Sequence, residues 1–549
     1  MNCTDSLSKP RLSLPSLLTS SLWHTGNLLA FSHLDGPTDY AHGLVARTVS
    51  TGLDIQWPAL CKIGFETAAE EALVTSDLFE IRMKNGALLR GVLLDAHHLL
   101  IEGSCIVQTS SPAISSTALD NRVLIGATTH FNPSLIHADF DQARTARLSW
   151  LNTLELPPSA EDLSLASQRS FARAISQMKG QVCSPEGIIK HPWTTPDRWP
   201  HRAMWLWDSA FHAIGWRHID PLLAQAMIDA VLDAQGTDGF IAHMVDPHHR
   251  SEITQPPILA FAAKLILEKS HDERWLALIY PKLCAYVEWD ASHRDTDGDG
   301  LVEWFIEDEL DCRSGESGMD NSPRFDCALA LAAPDFNAFL AGEYEVLAEF
   351  AQRLGKDHDA EQWSAGHANL SRLINEKLWS TEHQLYCDLD PRSDTLTPVL
   401  SSAGFLPLIC GAPSQAKARA LATHLENPAT FGTALPIPSI ATCNQQYYSK
   451  DMWRGPVWIN INWFVARGLH RYGLDAEAKS LRTKTLHELE RLTEIYGTFF
   501  EYIDDQCEVE PPLLLRKLKN IPGKHPHQAI HDYGWSATLY VDWLLETAE

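Results

Sequence analysis

Residues 220–236 read DPLLAQAMIDAVLDAQG and contain the beginning, the body and the end of one helix. The Asp-Pro start supplies an N-cap and a proline at the first helical position, and the final glycine suits a helix end. Residues 257–271, PILAFAAKLILEKSH, likewise begin with a proline. Because the apolar spacing within both segments is helical, the two stretches predict a pair of neighbouring helices.

Further helical stretches of ordinary length fill the chain from about residue 160 onward. They lie near residues 275–290, 327–353, 358–378, 413–425, 457–472, 475–495 and 535–547. Stacked helix pairs of this kind that close on themselves form an (α/α) toroid. The sequence therefore predicts a mainly α chain with a toroid of helix pairs over residues 156–549.

The first part of the chain has a different texture, with short apolar runs and turn residues from about residue 20 to 135. Asn85-Gly86 lies between FEIRMK and ALLRGVLL, which is a strong signal for a β-hairpin. These runs predict an N-terminal β-sandwich-like domain with its linker over residues 1–155.

The composition limits the classes of partner. The chain has 549 residues and a formal net charge of −26, and an acidic surface of this size repels nucleic acid and anionic lipid. No window approaches the run of about 18 apolar residues that spans a bilayer, and the beginning of the chain lacks the pattern of a signal peptide. We therefore expect a cytoplasmic protein that binds neither nucleic acid nor membranes; the sequence leaves its oligomeric state open.

The cysteines and tryptophans differ in what they indicate. The 11 cysteines are scattered singly without a CxxC pair, which argues against a disulfide framework and a cysteine-based zinc site. The 18 tryptophans exceed the 12 tyrosines, and five lie between Trp193 and Trp216. Such a cluster suits a hydrophobic core, and flat rings also bind the faces of sugars.

Two loops carry acids that could serve a glycosidase. Residues 315–325, GESGMDNSPRF, present Asp320 on a loop shaped by glycine and proline, and residues 497–502, GTFFEY, hold Glu501 among aromatic neighbours. Glycoside hydrolysis needs one carboxylic acid and one carboxylate. The spacing alone leaves open a loop-stabilising role for Asp320 and a solvated position for Glu501.

Four motifs occur in order from about residue 205 to 545: WLWDSAFHA, ESGMDNSPRFD, YYSKDMWRGPVWININWF and HDYGWSATLYVDWLL. Together they resemble glycoside hydrolase family 63, particularly its mannosylglycerate hydrolase-like members. They are more distantly similar to trehalases and to the glucoamylase-type six-hairpin glycosidases. The N-terminal third resembles the β-sandwich that precedes such toroids in texture only.

The resemblance implies an inverting α-glycosidase on an (α/α)6 barrel, in which Asp320 is the general acid and Glu501 the general base. Inversion would place the two carboxyl groups about 6.5–9.5 Å apart, leaving room for a water molecule. The family pattern near the base is loose. Other acids there remain alternatives to Glu501, namely Glu494, Asp504, Glu508 and Glu510.

Further motif positions imply substrate contacts. Trp207 would stack on the sugar and Asp208 would accept hydrogen bonds from its hydroxyls, with a core tryptophan and a helix N-cap as the alternatives. Gln255 would bond a hydroxyl or cap the helix that follows it. Arg454 could hold an acid or a carboxylate on the aglycone, and Arg324 and Lys450 are also available to such an aglycone. The aromatic residues left to the pocket wall or to helix packing are Tyr448, Trp453, Trp458 and Trp535.

Residues 295–300, DTDGDG, resemble the opening of a calcium loop, with oxygen ligands Asp295, Asp297 and Asp299 at alternate positions. Counted from Asp295, position 12 is Ile306 instead of glutamate, which argues against an EF-hand. We expect a turn without a metal, and a structural calcium completed by a distant carboxylate is the alternative. The sequence contains no HExxH, GxGxxG or GxxxxGK[ST] pattern, so no other cofactor is predicted.

The leading hypothesis is an inverting α-glycosidase that cleaves a small soluble glycoside, such as glucosyl- or mannosylglycerate or a short α-glucoside. One alternative is a sugar epimerase on a similar toroid, which would use histidine bases. Another is a catalytically inactive carbohydrate-binding protein. The residue that distinguishes glucose from mannose is not evident in the sequence.

Overall fold

The computed structural model describes residues 13–20, 22–23, 26–154, 163–309, 312–517 and 529–546. The chain forms two compact units. One comprises Met1–Ser184 with Glu490–Thr498, and the other comprises Pro185–Leu489 with Phe499–Glu549. The predicted domain boundary between residues 155 and 156 lies outside the described residues.

The first unit contains two antiparallel sheets, of seven strands in the order β1-β6-β7-β8-β9-β12-β11 and of five strands in the order β10-β5-β4-β3-β2. Alternating side chains such as Leu53, Ile55 and Ile63 form the buried apolar core, as a sandwich requires. The predicted β-sandwich is confirmed. The strands are β1 Thr19–Ser20, β2 Leu28–Ala30, β3 Val45–Val49, β4 Gly52–Trp57, β5 Cys61–Phe65, β6 Ala69–Val74, β7 Leu78–Met83, β8 Leu88–Leu93, β9 His98–Glu102, β10 Cys105–Gln108, β11 Ile114–Leu119 and β12 Arg122–Ala127.

The hairpin predicted at Asn85-Gly86 is confirmed as the connection between β7 and β8. Gly86 has a φ of 83°, a left-handed conformation that favours glycine, and Met83 donates its N–H to Ala87. Three helices complete this unit, together with the end of α13 described below. They are α1 Leu14–Leu17, α2 Phe140–Thr153 and α3 Leu165–Gly180.

The second unit is built on a ring of six helices, because contacts run from α4 to α6, α8, α10, α12 and α14 and back to α4. Every residue of α4 is buried, as expected for a helix inside a barrel, whereas α9 buries one stripe. The (α/α)6 barrel is confirmed. The helices are α4 Leu206–Trp216, α5 Pro221–Asp233, α6 Leu259–Ser270, α7 Glu273–Arg294, α8 Pro334–Arg353, α9 Asp357–Lys377, α10 Pro407–Cys410, α11 Gln415–Thr423, α12 Ile459–Arg471, α13 Asp475–Tyr496 and α14 Gly534–Leu545.

The first residues of α5 and α8 show how capping side chains and prolines fix the beginning of a helix. The side chain of Asp220 accepts the N–H groups of Leu222 and Leu223, which confirms the predicted N-cap of α5. The helix predicted from residue 327 begins instead at Pro334, because a proline at the first helical position fixes the start and the preceding residues form a short strand.

Short strands lie in the connecting segments. They are β13 Val182–Cys183, β14 Trp193–Thr194, β15 Met204–Trp205, β16 Met244–Val245, β17 Glu303–Trp304, β18 Leu331–Ala332, β19 Trp379–Ser380, β20 Leu385–Tyr386, β21 Leu389–Asp390 and β22 Thr395–Leu396. In the described ranges, no helix is both long and apolar enough to cross a bilayer. The described cysteines are free.

Candidate active site

Asp320 lies on a loop that packs directly on Trp207. Gly318, two residues earlier, has a φ of 70°, and a Cβ at this position would lie 2.2 Å from the Trp207 ring. A glycine is therefore required both by the backbone and by the close approach. The Asp320 side chain remains 24% exposed, and its Oδ2 lies 2.7 Å from Nζ of Lys517. The loop thus presents a carboxylate that a ligand can reach.

Glu501 lies on a segment that follows α13, where its N–H donates to the carbonyl oxygen of Ile530 at 3.0 Å. Its carboxylate is buried and forms an ion pair with the guanidinium of Arg516. Burial raises the pKa of Glu501, while the charges of Arg516 and His201 oppose the shift. A carboxylate that binds a proton more readily than usual is suited to act as a general base.

Two consecutive cations therefore contact the two predicted catalytic acids, Arg516 at Glu501 and Lys517 at Asp320. The Lys517 backbone is left-handed, with a φ of 56°, and its N–H donates to Asp451 at 2.7 Å. Burial opposes the charge of Lys517, but the Asp320 carboxylate outweighs this effect and raises the pKa of Lys517.

The sequence analysis missed both cations. The signal that could have indicated them is the run LLLRKLK over residues 513–519, a basic cluster in an acidic chain that follows the Glu501 segment. The segment is held in place because Leu515 donates its N–H to Lys450, and Tyr502 donates its hydroxyl to Leu515.

Asp208 lies in the first turn of α4 and is fully buried, and its Oδ1 has no hydrogen-bond partner among the described residues. Burial raises the pKa of Asp208 to about 8, with His201 opposing the shift and Glu501 adding to it. The carboxyl group is therefore largely protonated at neutral pH. It can donate a hydrogen bond to a sugar hydroxyl as well as accept one, which extends the predicted role.

Aromatic rings connect the acid-bearing segments. Trp207 meets Trp535 edge to face with ring centroids 5.2 Å apart, and Trp535 lies 5.6 Å from Trp458. Trp458 stacks on Trp453 at 3.8 Å, and the backbone N–H of Trp453 donates to Asn321 at 3.0 Å. Because Asn321 follows Asp320, these contacts link the loop of the first acid to the tryptophans of three other motifs.

Several buried polar atoms in this cluster have no partner in the described part of the chain. They are Oδ1 of Asp208, Nδ2 of Asn321, Nε1 of Trp453 and Nε1 of Trp535. A buried donor or acceptor without a partner costs about 1–3 kcal/mol, and such groups are usually satisfied. The cluster therefore offers donors and an acceptor to a hydroxyl-rich ligand.

Gln255 contacts the backbone of the helix that carries Trp207 and Asp208. Its Oε1 accepts the N–H of Trp207 at 3.3 Å, and its backbone carbonyl accepts the hydroxyl of Tyr286 at 2.9 Å. The side chain thus satisfies an N–H group in the first turn of α4, whereas α6, the helix that follows Gln255, has Ile258 at its N-cap and no side-chain cap.

Arg324 does not face this cluster, in contrast to the predicted substrate contact. Its guanidinium is fully buried and donates to both Asp335 and Asp388, at distances between 2.6 and 2.9 Å. A guanidinium that is occupied by two carboxylates has little capacity left for an aglycone. Arg324 is therefore a structural residue.

Arg454 and Tyr448 also bind protein acids. Arg454 forms a two-pronged ion pair with Asp326, which agrees with the predicted option that it holds an acid. Tyr448 donates its hydroxyl to Asp505 at 2.7 Å, and Lys450 contacts the same carboxylate at 2.8 Å. These three groups are therefore engaged by protein partners.

The alternatives to Glu501 differ in their surroundings. Asp504 accepts hydrogen bonds from Lys450 and from the N–H groups of Glu508 and Val509. Glu494 lies 3.6 Å from Arg169 within the first unit. The charge of Glu501 contributes to the raised pKa of Asp208, and its partner Arg516 precedes Lys517, which contacts Asp320.

The DTDGDG loop brings carboxylates of Asp295, Asp297, Asp299 and Glu303 within 4.8 Å of one another. Cationic and N–H groups already engage this cluster, because Lys377 lies 2.5 Å from Asp299 and Gly298 donates to Asp295. Burial raises the pKa of Glu303 to about 7. Oxygen ligands suit calcium, and the lysine provides an internal alternative to the ion.

Comparison with known proteins gives consistent results. Residues 200–536 match the family described as the mannosylglycerate hydrolase MGH1-like glycoside hydrolase domain. The chain is 29% identical over 395 residues to a mannosylglycerate hydrolase of Thermus thermophilus, covering 57% of this chain and 91% of the relative. It is 24% identical over 449 residues to a glucosylglycerate hydrolase of Mycolicibacterium hassiacum, covering 64% and 93%.

The structure is also similar to a crystal structure of a GH63 mannosylglycerate hydrolase from Thermus thermophilus in complex with Tris and D-glycerate. The TM-score is 0.56 at 26% identity, and the match covers 68% of this chain and 99% of that chain. The similarity thus extends over nearly the whole of the smaller protein.

Proposed function

We propose a substrate class for this chain, which belongs to the mannosylglycerate hydrolase MGH1-like glycoside hydrolase family and is a glycoside hydrolase. The substrate class is a small α-glycoside whose aglycone carries a carboxylate, as in glucosyl- or mannosylglycerate. Bond cleavage proceeds with inversion, by the carboxyl pair Asp320 and Glu501. The epimerase and inactive-binder alternatives do not fit a glycoside hydrolase.

The observation that carries the substrate class is the position of Arg516 and Lys517 beside the two acids. A carboxylate on the aglycone would pair with the Lys517 ammonium by a charge-assisted hydrogen bond, which is stronger than a neutral one. This exchange would release Oδ2 of Asp320 for contact with the glycosidic oxygen. A neutral aglycone has no negative charge with which to replace the Asp320 carboxylate as the partner of Lys517.

In the proposed reaction, water attacks the anomeric carbon while Glu501 takes its proton. Once Lys517 pairs with the aglycone, the Asp320 carboxylate takes up a proton from solvent and gives it to the glycosidic oxygen as the bond to the anomeric carbon breaks, so the products are a β-anomer and the free aglycone. The carboxyl of Asp208 and the Nε1 groups of Trp453 and Trp535 are available to the sugar hydroxyls. The separation of about 6.5–9.5 Å between the carboxyl groups stays the prediction for inversion.

Two further expectations remain proposals. Two carboxyl groups are sufficient for glycoside hydrolysis, and we therefore propose that no cofactor takes part. A cytoplasmic location stays a prediction from the sequence.

Proton NMR on a panel of α-glucosides and α-mannosides of glycerate and glycerol tests the proposal. We expect initial release of the β-anomer from a glycerate conjugate, and no release by Asp320→Asn. Initial release of the α-anomer would contradict inversion. Faster cleavage of the glycerol conjugates or of short neutral α-glucosides would overturn the substrate class while leaving the hydrolase assignment intact.

A further inference from the structure

A cluster of histidines and one aspartate lies in the N-terminal sandwich, away from the residues of the candidate active site in sequence and in unit. Asp39 and His42 precede β3, His97 precedes β9, and His130 follows β12. Strand β3 belongs to the five-stranded sheet, whereas β9 and β12 belong to the seven-stranded sheet. The cluster therefore joins segments that continue into both sheets.

The ligand atoms of Asp39, His42 and His130 lie within 4.8 Å of one another. Nδ1 of His42 lies 3.4 Å from Oδ2 of Asp39, too long for a strong hydrogen bond between these groups. Bond lengths of about 2.0–2.1 Å to tetrahedral zinc place two ligands about 3.3 Å apart. The observed separation is thus close to that of two ligands on one zinc ion.

Neighbouring groups fix the orientation of these side chains. Nε2 of His97 lies 2.9 Å from Oδ2 of Asp39, and the His97 ring stacks on His130 with centroids 4.0 Å apart. The hydroxyl of Thr129 lies 2.9 Å from Nδ1 of His130. Partners of this kind orient the direct ligands in metal sites.

The backbone around the cluster is already in place. Leu44 donates its N–H to the carbonyl oxygen of Ala96 at 2.7 Å, and Ala127 donates to His97 at 3.1 Å. The three loops are thereby hydrogen-bonded to one another, so metal binding would need only small side-chain movements. Imidazole with carboxylate suits zinc better than calcium or magnesium, which prefer oxygen ligands.

We propose that Asp39, His42 and His130 bind a structural Zn²⁺ ion, with His97 holding the Asp39 carboxylate in place. The ion would connect the two sheets of the sandwich. Water would complete the coordination, because the His42 side chain is 40% exposed and solvent can therefore reach the ion. The proposal is independent of the hydrolytic site.

Isothermal titration calorimetry of the metal-free full-length protein with Zn²⁺ tests this site, together with thermal unfolding. We expect one ion per chain and, at saturation, a rise in Tm of about 2–4 °C. His42→Ala and His130→Ala should each weaken binding by at least about 10–100-fold, the loss that follows when only a residue orienting a ligand is removed. His137→Ala is the matched control, because it removes an exposed imidazole of the same unit outside the cluster.

Co²⁺ absorption spectroscopy on the unmodified protein provides a second readout that does not depend on the folding of a variant. A saturable visible band that Zn²⁺ displaces at one equivalent supports a defined site. The proposal is overturned if no Zn²⁺ binds, or if both histidine variants bind as tightly as the His137 control, which would show adventitious surface binding only.

Discussion

Two clusters of acids and cations in the catalytic unit use the same residue types in opposite ways. Arg324 is buried between Asp335 and Asp388, and its guanidinium nitrogens are engaged. At the candidate site, Arg516 pairs with the buried Glu501, whereas Lys517 pairs with Asp320, whose side chain is partly exposed. In the first cluster, every charged group has a partner within the protein. The candidate site also contains Asp208, Asn321, Trp453 and Trp535, whose buried polar atoms no described residue satisfies.

The difference shows that motif membership does not by itself define a binding residue. Arg324 and Asp320 belong to the same motif, ESGMDNSPRFD, and lie four residues apart. Their functions separate because the backbone turns Arg324 into the protein, where buried charges need partners. A substrate can bind only where polar atoms remain available.

Removing either proposed catalytic acid should give the largest effect. We expect Asp320→Asn and Glu501→Gln each to lower kcat about 10³-fold, because proton transfer by a positioned carboxyl contributes about 10²–10⁴-fold. Initial rates with the glycerate conjugate measure this loss, and the exposed Glu252→Gln is the matched control. Retention of most of the activity by either variant would refute the role of that acid.

Replacing one cation in each cluster by methionine should change the free energy of unfolding by different amounts. We expect Arg324→Met to lower the free energy of unfolding by about 3–5 kcal/mol, because it leaves the buried carboxylates of Asp335 and Asp388 without a compensating charge. Lys517→Met should change it by about 1 kcal/mol or less, since its ion pair is partly exposed. Urea unfolding measures both values. Equal losses would contradict the distinction between a structural and a binding cluster.

The carboxyl of Asp208 should make stability depend on pH. Its pKa is raised to about 8 in the folded protein, so its contribution is present at low pH and is lost as the pH rises from about 4 to 8. Compared with Asp208→Asn, the wild type should lose on the order of 2 kcal/mol between pH 5 and 7. A difference between the two proteins that does not vary with pH would argue against a protonated Asp208.

The DTDGDG loop should give the smallest effect. Because Lys377 already pairs with Asp299, we expect added Ca²⁺ to raise the Tm of the metal-free protein by about 1 °C or less. The rise in Tm should be compared with that of Lys377→Gln, in which the carboxylate of Asp299 has lost its lysine partner. A larger rise in the wild type would establish calcium binding at this loop.

The sequence predicts the helical toroid and the sandwich because these depend on local signals, whereas the roles of Asp320 and Glu501 follow only from the resemblance of four motifs to a known family and stay predictions. Helix caps, the Asn-Gly turn and the order of four motifs are all visible along the chain. The engagement of Arg324 by Asp388 depends on residues 64 positions apart, and that of Arg454 by Asp326 on residues 128 positions apart.

The contribution of Arg516 and Lys517 also depends on tertiary structure. Their segment carries none of the four motifs, and only the fold brings it to Asp320 and Glu501. A basic pair in an acidic chain is a weak signal by itself, since most lysines and arginines are exposed to solvent.

The ratio of kcat/KM for α-glucosylglycerate to that for α-glucosylglycerol tests the central claim most directly, measured for the wild type and for Lys517→Met. We predict that the wild type prefers the acidic substrate and that the variant lowers the ratio about 10-fold, the value of one charge-assisted contact. An equal ratio in the two proteins, or a wild-type preference for the neutral conjugate, would contradict the account.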